Sequence, residues 1–533
     1  MKYTIPHLLS ESVKKNSQRP ALTFVGENAF KYSDIAELIC STIAFLQKNN
    51  ISKGDKIALW SANSPQWGIT YLAITCMGAV VVPILPEAIP GDVVNILRHS
   101  ESKIIFSAKS FLQKLEEENL QSDIVKVSLE THFDNISLPF EVCDFDAYDV
   151  KENDLAAIIY TSGTTGRAKG VMLSHKNISH VAWHSNDVQT ITNTDRFLSV
   201  LPLAHTYENS IGFLLPLFFG ACVYYLRKAP TASVLMPALM EVKPTMMLSV
   251  PLIIEKVYNQ KIKRTFTKNK ILRFLYSLKP IRILLHRLAG RKLYKSFGGQ
   301  LKFFGIGGAK LNAVVERFLS EAKFPYAIGY GLTESAPLLA GANAAETRFQ
   351  STGPALTGVE LKINNPNPET GIGEIWSKGP NIMMGYYKEP ELTSEVITSD
   401  GWLKTGDLGK IDKNGYLYIL GRLKNVIIGA TGKNIYPEEI EALINNYPLV
   451  SESLVVERKG RLVALVQLNM EEIELRIAEL KSSFEAIIQQ IMEEIKAYIN
   501  LQVGQFSQIQ SVVLQEIPFE KTATLKIKRY LYT

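Results

Sequence analysis

The sequence predicts an α/β protein with a large N-terminal domain of layered α/β subdomains and a small C-terminal α+β domain. Three observations predict it. Up to about residue 420, short β-branched runs alternate with helical patterns, the signature of α/β layers. Beyond Gly421 the character changes: a Gly-containing segment leads into one helix, two strands and a long amphipathic stretch. The chain's 533 residues also exceed what one ordinary core organises, so two or more domains are expected.

In the N-terminal part, Lys56–Leu59, Ala79–Ile84, Lys103–Phe106 and Ala157–Tyr160 read as strands. Trp67–Pro86 is uncharged and as long as a membrane-spanning helix, roughly 20 residues. It holds Thr70, Thr75, Gly78 and Pro83, however, and reads as a helix followed by a buried strand. Ile211–Leu226 is broken by Gly212, Pro216 and Gly220, and neither segment is predicted to cross a membrane. In the C-terminal part a helix is expected at Glu438–Asn445, with strands at Ser453–Glu457 and Leu462–Gln467. The stretch Glu471–Ile499 follows, with apolar Ile473, Ile477, Leu480, Phe484, Ile487, Ile488 and Ile491 on a helical period.

Hydrophobic residues form 46% and charged residues 21% of the chain, which excludes a disordered protein. A net charge of +6 by itself selects no partner, and no basic–aromatic nucleic-acid module appears. Cys40, Cys76, Cys143 and Cys222 are widely spaced and form no CxxC pair. Neither a zinc site nor a disulfide framework is expected, and a reducing cytoplasm fits best. Met1–Ser10 lacks the basic-then-apolar pattern of a signal peptide. His175, His180 and His184 invite a metal reading. Only the last two share a helical face and no Glu or Cys completes a set, so structural roles are expected.

The most informative segment is Ile158–Gly170. An apolar strand runs into Thr161, Ser162, Gly163, Thr164, Thr165 and Gly166, and the loop ends in Lys169. Glycines let backbone N–H groups turn toward an anion, while hydroxyls and a lysine add donors, which is what a polyphosphate requires. No Gly-Lys-Ser/Thr closes the loop, so it is not a Walker motif. It resembles the phosphate loop of the adenylate-forming superfamily: acyl-CoA synthetases, peptide-synthetase adenylation domains and luciferases. Ala168 stands where that loop usually has proline.

Further segments resemble the family's motifs in the family's order, and the resemblance covers nearly the whole chain. In Leu201–Glu208, His205 occupies the position that gates the acyl pocket in relatives, and Asn209 stands where long-chain relatives often carry arginine. Gly307, Gly308 and Ala309 are small enough for the backbone to approach a flat adenine, and Tyr330, beside Gly331, offers a stacking face. Thr333 can bond the α-phosphate, and Glu334 supplies the hard oxygen that Mg²⁺ prefers, with Thr165 as a second ligand. Asp407 resembles the aspartate that accepts from both ribose hydroxyls, and Arg422 the arginine beside the ribose. Lys424 holds the hinge position, which divides the chain into residues 1–422 and a mobile domain of residues 423–533. Gly432 lies in the loop that resembles the one flanking the CoA tunnel. Lys526, before Ile527, matches the lysine that contacts carboxylate and α-phosphate, although Leu525 replaces the usual glycine.

The resemblance implies ATP, Mg²⁺ and coenzyme A as cofactors and a carboxylic acid as substrate. Residues 251–299 resemble the long-chain fatty acyl-CoA synthetases in particular. Residues 256–295 carry thirteen lysines and arginines and no acid, interleaved with leucines, isoleucines and Phe274. Two readings stay open for this segment: peripheral contact with an anionic membrane on its inner face, through cations that include Arg282 and Arg287, or a packed helix with a solvated basic side. Two alternatives to a CoA ligase also stay open. One is an acyl-AMP ligase that delivers to carrier-protein phosphopantetheine. The other is a non-catalytic acyl-AMP or nucleotide sensor, against which Lys169, Glu334, Asp407 and Lys526 together argue.

Overall fold

The structure, a computed structural model, describes residues 1–116, 118, 123–162, 168–267, 270–428, 434–447, 449–470, 473, 484–521 and 527–532. Among these, two seven-stranded sheets build the N-terminal domain. In the first, strands Pro20–Phe24, Cys222–Tyr225, Arg196–Ser199, Met246–Ser249, Phe303–Ile306 and Tyr326–Ile328 run parallel, with Phe30–Lys31 antiparallel at one edge. In the second, Val125–Ser128, Ile104–Ser107, Lys56–Trp60, Val80–Ile84 and Leu155–Ser162 are parallel. Ala168–Ser174 and Gly385–Tyr386 then add antiparallel strands.

The four expected strands are present, each within a few residues of its predicted bounds. Their β-branched composition follows from burial on both faces; Val80–Ile84 and Ile104–Ser107 are buried throughout. Trp67–Pro86 is the helix Pro65–Cys76 followed by that strand. Ser64 starts the helix by accepting from Trp67 N at 3.0 Å, with Pro65 in the first turn, where its missing N–H costs nothing. Among the described residues no helix is long and apolar enough to cross a membrane.

One continuous core runs from Ile5 to Leu403 and joins the two large sheets. A four-stranded antiparallel sheet of Glu360–Asn364, Gly373–Lys378, Leu403–Ile411 and Leu417–Arg422 follows. Beyond the short turn Leu423–Asn425 a separate core gathers Ile435, Ile440, Ile444, Val455, Val466 and Ile491, among others. It lies between the helix Pro437–Ile444, the sheet Val450–Arg458, Arg461–Leu468, Ser511–Leu514, and the helix Phe484–Asn500. The last helix is the described part of the predicted stretch 471–499; apart from Ile473, residues 471–483 lie outside the described residues.

Two expectations are corrected. Cys40 and Cys143, 103 residues apart, are joined by a disulfide with their Cα atoms 5.6 Å apart. No local motif announces a pair that only the packing of the helix Tyr32–Lys48 against the 143 loop brings together. Cys76 and Cys222 are free and buried. The second correction concerns Arg282, one of the cations of the basic segment. It does not face outward: it pairs with Glu321 on the helix Ala313–Glu321 at 2.8 Å.

Candidate active site

The phosphate loop is the tip of a hairpin. Leu155–Ser162 and Ala168–Ser174 pair antiparallel, with Thr161 opposite Lys169 and Ser162 opposite Ala168. Gly163, Thr164, Thr165 and Gly166 lie outside the described residues, as does the side chain of Ser162. Below the tip the strands close tightly. A Cβ at Gly170 would approach Ile158 Cγ2 to 2.8 Å, and its carbonyl accepts from Tyr387 N at 2.7 Å.

Glu334 faces this hairpin from the single turn Thr333–Ser335. The turn is held by the pair Tyr330–Gly331 and Leu338–Ala340. Gly331 is required there, because a Cβ would lie 1.7 Å from Pro337 O. Tyr386 reaches across and donates its hydroxyl to Glu334 Oε1 at 2.9 Å, while Lys169 Nζ lies 5.3 Å from the Tyr386 ring centre. Burial and the Glu334 charge push the Tyr386 phenol well up, so it remains a donor.

Asp407 and Arg422 are opposed in the four-stranded sheet and pair through Arg422 Nε and Asp407 Oδ1 at 2.8 Å. Tyr330 donates to the other oxygen, Oδ2, at 2.7 Å. Asp407 is buried, whereas Arg422 extends to the surface next to the turn that carries the exposed Lys424. Tyr330, Asp407 and Arg422 are thus brought together, and Arg422 also acts electrostatically on Tyr386.

Gly307, Gly308 and Ala309 follow the strand Phe303–Ile306, with Gly308 and Ala309 exposed and Gly308 at φ +83°. One face of this strand end is taken by Tyr207. A Cβ at Gly305 would meet its hydroxyl at 3.0 Å, and one at Gly307 would meet its ring at 3.1 Å. Tyr207 N bonds His205 Nδ1 at 3.3 Å and immediately precedes a buried π-helix, Glu208–Leu214.

Tyr207 also lines an apolar cavity. Its floor is one face of the first sheet, where Phe197, Met246, Leu248, Phe303 and Gly305 alternate along three strands. Val188, Ile191 and Ile211 wall it, and Leu338 and Gly341 border it. Ser185, Gln189 and Tyr207 are its polar lining side chains, and the Ser185 hydroxyl is committed to Val181 O at 2.7 Å.

Lys526 and Gly432 lie outside the described residues. Around the first, Lys521 and Ile527 form an antiparallel bridge, and Phe519, Ile527 and Tyr532 pack on Leu454 and Val456. Of the three histidines, His184 bonds Tyr3 and Asp187, His180 bonds Thr357 O, and His175 is buried. Among the described residues no three His, Cys, Asp or Glu side chains gather as metal ligands. Sequence reasoning missed Tyr207, which lies inside the 201–208 motif beside His205, and Tyr386, whose surroundings, Ile382–Tyr387, carry no signal beyond an apolar run.

The family model of the AMP-binding enzymes matches residues 9–387. Over 464 residues the chain is 29% identical to a long-chain-fatty-acid–CoA ligase, FadD15, of Mycobacterium bovis, covering 80% of this chain and 74% of the relative. It is equally 29% identical, over 473 residues, to 4-coumarate–CoA ligase 2 of Nicotiana tabacum, covering 84% and 81%. Among solved structures, ATP-bound MatB from Rhodopseudomonas palustris superposes with a TM-score of 0.79 at 24% identity, covering 100% of this chain and 98% of that one. The o-succinylbenzoate CoA synthetase of Bacillus subtilis, with ATP and magnesium, gives 0.78 at 22%, covering 98% of each chain. The match over residues 9–387 spans both large sheets, the phosphate hairpin and the Glu334 turn, and the chain belongs to the AMP-binding enzyme family, the adenylate-forming acid–CoA ligases.

Proposed function

We propose that the chain is an AMP-forming ligase for long-chain fatty acids. It converts acid and ATP to acyl-AMP and pyrophosphate, and then CoA thiol and acyl-AMP to acyl-CoA and AMP. The apolar cavity beside Tyr207 carries the choice of acid. It offers hydrocarbon contact on nearly every side and little to pair with a phenol or a second carboxylate, whose unmet hydrogen bonds would oppose binding. The nucleotide side of this reading rests on the motif residues that resemble the family's. Thr161, Ser162, Gly163, Thr164, Thr165, Gly166 and Lys169 cradle phosphates. Tyr330, with Gly307, Gly308, Ala309 and Gly331, borders the adenine, and Asp407 with Arg422 takes the ribose. Glu334 and Thr165 fit Mg²⁺, an ion that takes one or two carboxylates and completes its shell with phosphate oxygens and water. Thr333 steadies the α-phosphate and His205 stands at the mouth of the acyl pocket.

In the same reading the small domain begins at residue 423 and turns about Lys424. One orientation brings Lys526 to the reacting carboxylate; the other brings the Gly432 loop to CoA. The exposed turn Leu423–Asn425 between two separate cores supports that division. AMP release with CoA is measured on a panel of acetate, octanoate, oleate and 4-coumarate. Oleate is expected to give the highest kcat/KM, and preference for 4-coumarate or acetate overturns the fatty-acid assignment. Pyrophosphate release without thioester formation on CoA would point instead to a carrier-protein acceptor. No pyrophosphate with any acid would point to a sensor.

The basic segment supports a lipid partner. On the helix Lys279–Ser296, Leu284, Arg287, Leu288, Arg291, Lys292 and Lys295 are exposed at spacings that place them on one face. Leu284 is 58% exposed and Leu288 48%, an apolar pair set among cations, suited to an anionic bilayer in which the substrate dissolves. Arg282 is not part of this face. Cosedimentation with phosphatidylglycerol vesicles is expected to weaken with salt and with Arg287→Glu plus Arg291→Glu. Equal partition to neutral and anionic vesicles, or none, overturns it.

A further inference from the structure

Glu334 and the phosphate hairpin lie far apart in sequence, and the segment Met383–Tyr387 binds them together. Met383 N donates to Glu334 O at 2.9 Å, Met384 N to Met172 O at 2.9 Å, and Tyr387 N to Gly170 O at 2.7 Å. Between these contacts, Gly385 and Tyr386 pair with Met172 and Val171 as an added strand. Thr393 fixes the strand from outside, its Oγ1 accepting from Tyr386 N at 2.8 Å.

Every one of those bonds uses only the backbone of residues 383–387, and a phenylalanine at 386 would preserve them all. The buried hydroxyl does something else: it holds one oxygen of a carboxylate, Glu334 Oε1, at 2.9 Å. The ring does a second thing, since the Lys169 ammonium stands 5.3 Å from its centre. One side chain therefore touches both the group read here as the metal carboxylate and the lysine read as a phosphate ligand. A hydrogen bond to one oxygen of a ligating carboxylate fixes its rotamer and leaves the other oxygen to be aimed.

From this geometry we infer that Tyr386 is a positioning residue for nucleotide-bound magnesium. Its hydroxyl orients Glu334, and its ring holds Lys169 over the same phosphates. The inference rests on the reading of Glu334 as the magnesium carboxylate.

The test uses the full chain, three single variants, Tyr386→Phe, Tyr386→Leu and Glu334→Gln, and the double variant that combines Tyr386→Phe with Glu334→Gln. Binding of ATP is followed calorimetrically, with EDTA and then across a magnesium titration, alongside pyrophosphate release. Tyr386→Phe is expected to raise the magnesium concentration for half-maximal effect about 10-fold, the lower end of what loss of an outer-sphere partner costs. Its metal-free ATP binding and its KM for the acid are expected to stay as in the parent. Tyr386→Leu is expected to weaken metal-free ATP binding as well, because Lys169 loses its platform. In the Glu334→Gln background, Tyr386→Phe is expected to add little further effect. If Glu334→Gln leaves the magnesium dependence unmoved, the reading of Glu334 fails. If it shifts that dependence and Tyr386→Phe does not, lowering only thermal stability, the role of Tyr386 is overturned.

Discussion

Asp407 and Arg422 face each other across two antiparallel strands and close to 2.8 Å, while Tyr330 holds the second Asp407 oxygen at 2.7 Å. The carboxylate is buried and the guanidinium half in water, and both carboxylate oxygens are held by side chains of the protein.

Asp407→Asn keeps the shape and removes the charge. Charge-assisted hydrogen bonds of this kind are worth roughly 1.5–3 kcal/mol, so KM for ATP is expected to rise about 10- to 100-fold. KM for the acid should hold. Initial rates with each substrate varied in turn check this, and an equal rise in both would mean that the change acts on the fold.

Lys526→Ala is expected to abolish acyl-AMP formation and to spare conversion of supplied acyl-AMP to thioester. Rapid-quench assays of each half-reaction separate the two, and equal loss would remove the lysine from the adenylation step.

Arg529 anchors the tail that follows Lys526. Its Nη2 lies 2.5 and 2.6 Å from the two Glu441 oxygens, and its Nη1 donates to Val455 O at 3.0 Å. The side chains are only 18% and 12% exposed, so Arg529→Met strands a buried carboxylate at a cost of about 3 kcal/mol. Urea denaturation followed by tryptophan-independent far-UV signal should show that loss; a change under about 0.5 kcal/mol, the range of ordinary surface substitutions, would contradict it.

Glu208 is buried in the π-helix, and burial pushes its carboxyl up from 4.5 to about 8. The unfolded chain gives up this proton near 4.5 and the folded chain near 8. The stability it contributes is therefore full below the lower value and is lost as pH rises through the upper one. The slope is at most about 1.4 kcal/mol per pH unit. Glu208→Gln should gain stability relative to the parent as pH climbs through that window. A difference independent of pH would rule it out.

Denatured without reductant, the chain should show two reactive thiols, Cys76 and Cys222, and all four only after reduction. Four at the outset would mean that Cys40 and Cys143 are not joined.

What the sequence revealed, and what it hid, follows from the range of the interactions. The parallel strands were legible because burial on both faces demands runs such as Val80–Ile84. The phosphate hairpin was legible because its chemistry is written in consecutive residues. Asp407 and Arg422 could be named singly, but their pairing depends on strand register. Tyr386 was invisible: Glu334 lies 52 residues away and nothing near Gly385 refers to it. The period of the basic helix identified a mixed face and could not say which way each cation turned. Arg282 was misjudged because its partner, Glu321, comes from another helix.

Tyr207 stands with its ring against Gly307 and its hydroxyl over Gly305, and together with Gly305 it lines the apolar cavity. On the proposed reading of Gly307, Gly308 and Ala309 as the adenine border, one aromatic side chain is the partition between hydrocarbon and nucleotide. Any attempt to retune the accepted acid by enlarging residue 305 would push that partition, and the penalty would register in ATP affinity as well as in chain-length preference.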